Sequence, residues 1–96
     1  MQITETAWDL PVVLALASSL KDRPLAQSIV AFGEIGLTGE VRPVAYGEER
    51  LREAQKQGFG IALIPKENAP RKPLDGLRVI PVGRVDEALA AAFGAT

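Results

Sequence analysis

The sequence has no cysteine and no histidine. The first absence excludes disulfides and thiolate metal sites, and it fits a cytoplasmic setting. The second removes the commonest general base and metal ligand. No apolar run is long. The longest covers residues 11–17, far short of the roughly 20 residues that a membrane-spanning helix needs. No basic region precedes it, so neither a signal peptide nor a membrane partner is expected. Aromatic residues make up only 5% of the chain, and Trp8, Tyr46 and Phe59 are too dispersed to suggest a platform for stacked bases. Charge of one sign is also lacking: 11 Lys and Arg stand against 12 Asp and Glu, a net charge of −1. Strong non-specific nucleic-acid binding shows as a cationic excess, so any DNA contact has to come from local basic clusters.

What is present is an ordinary globular composition, 47% hydrophobic over 96 residues. That length implies one domain, and a chain this short buries only about 60–65% of its unfolded surface. Residues 1–4 suit the end of a strand. Asp9 suits an N-cap for a helix over residues 10–20, where Pro11 is tolerated in the first turn. Leu10, Val13, Leu14, Ala17 and Leu20 form an apolar stripe. Val12 and Leu16 widen it, which predicts a central core helix with Leu14 and Leu16 nearly fully buried. Pro24 ends the helix, because the residue before a proline is pushed out of the helical region.

Residues 28–37 form a β candidate interrupted by Gly33 and Gly36, as at a bulge or a close backbone approach. Thr38-Gly39 signals a turn, with residues 40–44 returning as the second arm of a hairpin. Residues 47–57 read as a helix with charged pairs four apart, such as Glu48 with Arg52, and a thin apolar face at Leu51 and Ala54. Gly58 is a natural stop. A buried strand over 61–64, a Pro-rich basic loop over 68–73, a strand over 77–82 and a helix over 85–93 complete the pattern. The class is α/β or α+β with a mixed sheet.

Three anchors occur in order. They are Gly33-Glu34-Ile35-Gly36-Leu37-Thr38-Gly39-Glu40-Val41-Arg42-Pro43, the segment 50–68 ending Ile64-Pro65-Lys66-Glu67-Asn68, and Ala17-Ser18-Ser19-Leu20 followed by Arg23-Pro24-Leu25. This arrangement is similar to the second half of the Lon-type proteolytic fold. It resembles most closely the C-terminal Lon-like domain of the bacterial DNA-repair family RadA, also called Sms. The resemblance covers residues 3–89. It implies a ribosomal-S5-domain-2-like fold, and a single Lon-like domain over residues 1–96 that lacks its first strands. The family's zinc finger and ATPase core, with their zinc and ATP, would lie elsewhere, and no cofactor or metal is expected within this domain.

Aligned on that family, the position of Lon's serine falls on Ala7 and that of its lysine on Glu48. A serine–lysine peptidase needs a hydroxyl nucleophile and an amine of lowered pKa. Neither residue supplies one, so the expectation is a pseudo-protease fold with no catalytic residue, and not an enzyme. The remaining pair, Ser18 and Ser19, reads as helix-end hydroxyls. Gly33, Gly36 and Gly39 suit a hairpin; no Gly-Lys-Ser/Thr follows, so a phosphate loop is not indicated. Glu34 and Glu40 flank the turn and read as solvated or ion-paired charges. Glu40, Asp75 and Asp86 lack metal-ligand spacing.

Small basic groups remain: Lys21 and Arg23 after the first helix, Arg42, Arg50 and Arg52 around the hairpin return and second helix, and Lys66, Arg71 and Lys72 along the Pro-rich loop; Lys21, Arg23, Arg42, Arg71 and Lys72 are the DNA-contact candidates. Such side chains can neutralise phosphates without reading bases. The resemblance implies a module of a recombinational repair ATPase that serves hexameric ring assembly and DNA contact, weak from one copy alone. The alternatives are an active Lon-type serine–lysine peptidase and a pure oligomerisation scaffold.

Overall fold

Residues 61–65 carry the most apolar run in the second half of the chain, and in parallel sheets such runs become strands covered on both faces. The computed structural model describes residues 9–22 and 29–93. In it this run is β4 (Ile61–Pro65), with Ala62, Leu63, Ile64 and Pro65 all buried. β4 is the middle of a three-stranded parallel sheet, flanked by β1 (Ile29–Ala31) and β5 (Arg78–Val82). The register sets Ile29 beside Ile61 and Ile61 beside Arg78. A separate antiparallel pair joins β2 (Glu34–Ile35) to β3 (Val41–Arg42). Among the described residues, parallel and antiparallel pairing are therefore segregated, where the sequence suggested one mixed sheet. The class is mixed α/β with a parallel sheet.

Side chains alternate across a strand, so β4 feeds two cores. Ala62 and Ile64 pack with Phe32, Leu77 and with Leu51 and Ala54 of α2 (Gly47–Lys56). Leu63 packs on the opposite face with Leu10 and Leu14 of α1 (Asp9–Lys21), Val41, Val82, and Ala88 of α3 (Val85–Phe93). No polar or charged residue is buried among the described residues.

The apolar helix α1 departs from expectation on one side. Leu10 and Leu14 are buried, but Leu16 is 60% exposed, and Val12 and Leu20 are exposed as well. At about 100° per residue, Leu16 points roughly opposite to Leu14. Only one side of α1 meets the sheet and α3, so Val12, Leu16 and Leu20 form an outward ridge. The carboxylate of Asp9, expected to cap its own helix, instead accepts the Ile35 amide at 3.1 Å. The Leu10 amide donates to the Gly33 carbonyl at 3.0 Å. Both bonds fasten the start of α1 to the hairpin.

The strand expected over 28–37 breaks at Phe32 and Gly33. Gly33 brings its backbone so close to Val41 that an added Cβ would lie 3.0 Å from that side chain. Gly58 ends α2 as predicted. With φ +88°, it lets the Gly58 amide reach Gln55 O at 3.2 Å and the Phe59 amide reach Ala54 O at 3.1 Å. These are the two bonds of a Schellman stop. At the start of α3, Glu87 Oε1 accepts the amides of Gly83 (2.8 Å) and Arg84 (2.9 Å), satisfying donors that the first turn cannot. Residues 1–4, Ala7 and Arg23 lie outside the described residues.

Candidate nucleic-acid interface

The link from β4 to β5 must cross from one parallel strand to the next, which places its loop on a face of the sheet. It opens with a short 3-10 turn (Lys66–Asn68) and continues through the Pro-rich stretch 69–77. Asn68 secures its beginning: Oδ1 accepts the Val44 amide at 2.9 Å and Nδ2 donates to the Val44 carbonyl at 3.0 Å. Gly47 allows this approach, since a Cβ there would come within 2.6 Å of Asn68 Nδ2. Farther on, Gln55 of α2 donates to the Asp75 carbonyl at 2.8 Å. The loop is thereby held against α2, on the sheet face opposite α1 and α3.

Between α2 and this loop lies a cleft of about 670 Å³, lined among others by Glu48, Arg52, Glu67, Asn68, Arg71 and Lys72. A second groove, of about 420 Å³ and more apolar, runs along β5 on the other side of the same loop. Arg71 lines it too, together with Arg78. Arg71, Lys72 and Arg78 are exposed and make no ion pair among the described residues. Charged ends on long, flexible stems, held in a loop fixed at both ends, can reach and neutralise an anion at little packing cost.

The other sequence-predicted cations are placed elsewhere. Lys21 ends α1 on the far face of the sheet, with its ammonium 5.9 Å from the centroid of the Phe93 ring. Arg42 is engaged inside the hairpin: Nη1 lies 3.7 Å from Glu34 Oε1, and Nη2 donates to Glu40 Oε2 at 3.0 Å. Glu34 and Glu40 are thus the ion-paired edge charges that their positions suggested. Glu40 also accepts from the Thr38 hydroxyl (2.6 Å) and amide (3.1 Å). The Thr38 hydroxyl, with backbone and Arg42 donors, lowers the Glu40 pKa to about 2. Four donors favour the charged form, and the exposed carboxylate loses little hydration. Arg84 donates to the Thr38 carbonyl at 2.7 Å and completes the bracing of this turn. The structure therefore groups Arg71 with Lys72, and groups neither Lys21 nor Arg42 with them.

Sequence reasoning missed Arg52 and Arg78 as neighbours of the loop. Arg52 lies about 20 residues before Lys72, and only the docking of the loop on α2 brings both to one cleft. Glu48 lines the cleft as well, where its carboxylate accepts from Arg52 at 3.1 Å.

A family model described as ChlI, Subunit ChlI of Mg-chelatase, matches residues 2–68. The chain belongs to this family. Its relatives include the DNA repair protein RadA of Salmonella typhimurium, 50% identical over 90 residues, and that of Escherichia coli, 48% identical over 90 residues; each match covers 94% of this chain and 20% of the relative. DNA repair protein RadA of Bacillus subtilis is 43% identical over 96 residues, 98% of this chain and 21% of the relative. The resemblance to RadA holds over about 95% of the chain. The chain spans about a fifth of the length of these curated relatives.

These matches correct one expectation. The missing serine–lysine pair led to the reading that the chain is not an enzyme. The ChlI family and the RadA relatives indicate an ATPase-family protein, and hence an enzyme family. Loss of two side chains bears on a single chemistry, peptide hydrolysis, and does not remove a chain from an enzyme family. No helix among the described residues is long and apolar enough to cross a membrane.

Proposed function

We propose that this chain is a Lon-like module of a DNA-repair protein, and that it contacts the phosphate backbone of DNA through the loop bearing Arg71 and Lys72. The observation that carries the reading is the pair of exposed cations, without an ion pair among the described residues, on a braced loop at the rim of the 670 Å³ cleft. The printed name of the relatives, DNA repair protein RadA, supports a repair role. The S5-like, Lon-like assignment is part of the proposal. It is supported by the parallel sheet with helices on both faces and by the order of the three sequence anchors on it.

Self-association into a ring belongs to the same reading. The exposed ridge of Val12, Leu16 and Leu20 supports it, because contiguous exposed apolar side chains mark surfaces that gain from being covered. A ring would present several copies of a weak contact at once and so raise the overall affinity. Lys21, Arg23 and Arg42 stay in the proposal as further phosphate contacts in the assembled protein.

A salt titration of binding to a labelled oligonucleotide tests the DNA contact. Affinity falls steeply with salt if the contacts are phosphates, and it shows little sequence preference. Light scattering at high protein concentration tests the assembly. A strictly monomeric mass would count against self-association through α1.

A further inference from the structure

The cleft between α2 and the loop contains one charge pair that bears directly on phosphate binding. Glu48 Oε1 lies 3.1 Å from Arg52 Nη2 across one helical turn, and about two-thirds of each side chain is exposed. A pair this exposed contributes little to stability. Its position is more informative than its strength. Both residues line the cleft that Arg71 and Lys72 also line, and Glu67 is the other carboxylate there. Three cations therefore face two carboxylates. The cation on the helix side already has an oxyanion partner, whereas the two on the loop have none among the described residues.

We propose that the cleft seats a stretch of phosphodiester backbone between the loop cations Arg71 and Lys72 and the helix cation Arg52, and that Glu48 is the counter-ion which phosphate displaces from Arg52. The proposal rests on the reading of the loop as a nucleic-acid contact and extends it to the opposite wall. A guanidinium presents a planar fork of donors that fits a carboxylate and a phosphate in the same way. One oxyanion can therefore exchange for the other without moving the helix. The released Glu48 returns to water, which it already faces. While paired, it competes with phosphate; once released, its charge still opposes the bound backbone. Glu48 thus lowers the affinity of the cleft and sets how readily the backbone leaves. A volume of 670 Å³ suits a short length of backbone, and either a single strand or one strand of a duplex could supply it.

The test is binding of the full chain to a fluorescein-labelled oligonucleotide at low salt, in single-stranded and duplex arms of the same sequence. One unit charge removed at about 5 Å in a water-like medium changes affinity by about three- to fourfold. Glu48→Gln should therefore tighten binding by about that factor. Glu49→Gln should leave it nearly unchanged, because Glu49 lies on the next face of α2, beside Phe32 and away from the cleft. Arg52→Gln should weaken binding and remove most of the gain from Glu48→Gln when the two are combined. Melting temperatures should stay within a degree or two of the parent, so misfolding does not explain the shifts. The arm with the larger Glu48→Gln gain identifies the source of the backbone. Equal effects of Glu48→Gln and Glu49→Gln, no effect of either, or a gain that survives intact with Arg52→Gln would overturn the exchange. If Arg71→Ala with Lys72→Ala weakens binding while Glu48→Gln and Arg52→Gln do nothing, the loop reading stands and this inference fails. If the loop pair is silent too, both fail.

Discussion

Replacing Leu14 and Leu16 by alanine, one at a time, separates the two sides of α1. Leu14 is 2% exposed and packs with Leu10, Val41, Leu63, Val82 and Ala88, whereas Leu16 is 60% exposed. Leu→Ala removes three carbons, about 2.4 kcal/mol at roughly 0.8 kcal/mol per buried methylene. At Leu14 the neighbours include residues of three β-strands and a second helix, each anchored elsewhere, so the space collapses only in part. A cavity term then brings the loss to about 2–5 kcal/mol. A domain of this size has a total stability of roughly 5–15 kcal/mol, so Leu14→Ala should lower the melting temperature by at least about 8 °C. Leu16→Ala removes mostly solvated carbon and should cost under about 0.5 kcal/mol. The assay is urea unfolding followed by far-UV circular dichroism at low protein concentration, where self-association is minimal. Equal losses at the two positions would refute the one-sided packing of α1. A loss confined to Leu16 would mean that the helix is turned the other way.

Three further outcomes follow, two from polar contacts and one from a backbone angle. Asn68→Ala strips the amide and carbonyl of Val44 of their side-chain partner in a partly buried site, and should cost about 1–3 kcal/mol in urea unfolding; an unchanged midpoint would show that water replaces the pair freely. The Glu40 pKa is lowered from 4.5 to about 2, so the contribution of its charge is present above pH 4.5 and is lost as pH falls through about 2. The difference in melting temperature between the parent and Glu40→Gln should accordingly be largest near neutral pH and close as pH falls from 4.5 towards 2; a gap that does not depend on pH would contradict the assignment. Tyr46 precedes α2 at φ 61°, a left-handed conformation that asparagine tolerates better, so Tyr46→Asn should raise stability by up to about 1 kcal/mol.

The elements most legible in the sequence are those whose ends are set by local chemistry. Gly58 stops α2 because only a residue comfortable at positive φ completes the Schellman bonds there, and that requirement is visible without any tertiary information. α3 is legible for a similar reason, with Asp86 and Glu87 at its start. The burial of α1 was not legible on both sides. Leu10, Val12, Leu14 and Leu16 are all large and apolar, so periodicity could not choose a face; only the placement of the sheet and α3 does so. The break at Phe32 and Gly33 depends on the approach of Val41, which is 8 residues away in sequence and belongs to another strand. At the candidate site, Arg71 and Lys72 were legible as loop cations because prolines surround them. The engagement of Arg42 by Glu34 and Glu40 was not, since it requires the hairpin register. The meeting of Arg52 with the loop was not legible, because it depends on the docking of the loop on α2. The enzyme-family membership was not legible either, because a missing serine–lysine pair bears only on peptide hydrolysis.

The central claim is that the braced basic loop contacts the nucleic-acid backbone. The most direct measurement is the salt dependence of oligonucleotide binding by the full chain, with and without Arg71→Ala and Lys72→Ala together. Two lost phosphate contacts should weaken binding at low salt and lower the slope of log affinity against log salt by about 1.4–1.8, the smaller value applying to a single strand. Melting temperature should not move, since both side chains are exposed and neither makes an ion pair among the described residues. Identical affinity and slope for the parent and the double variant would contradict the account and leave the loop as ordinary solvated surface.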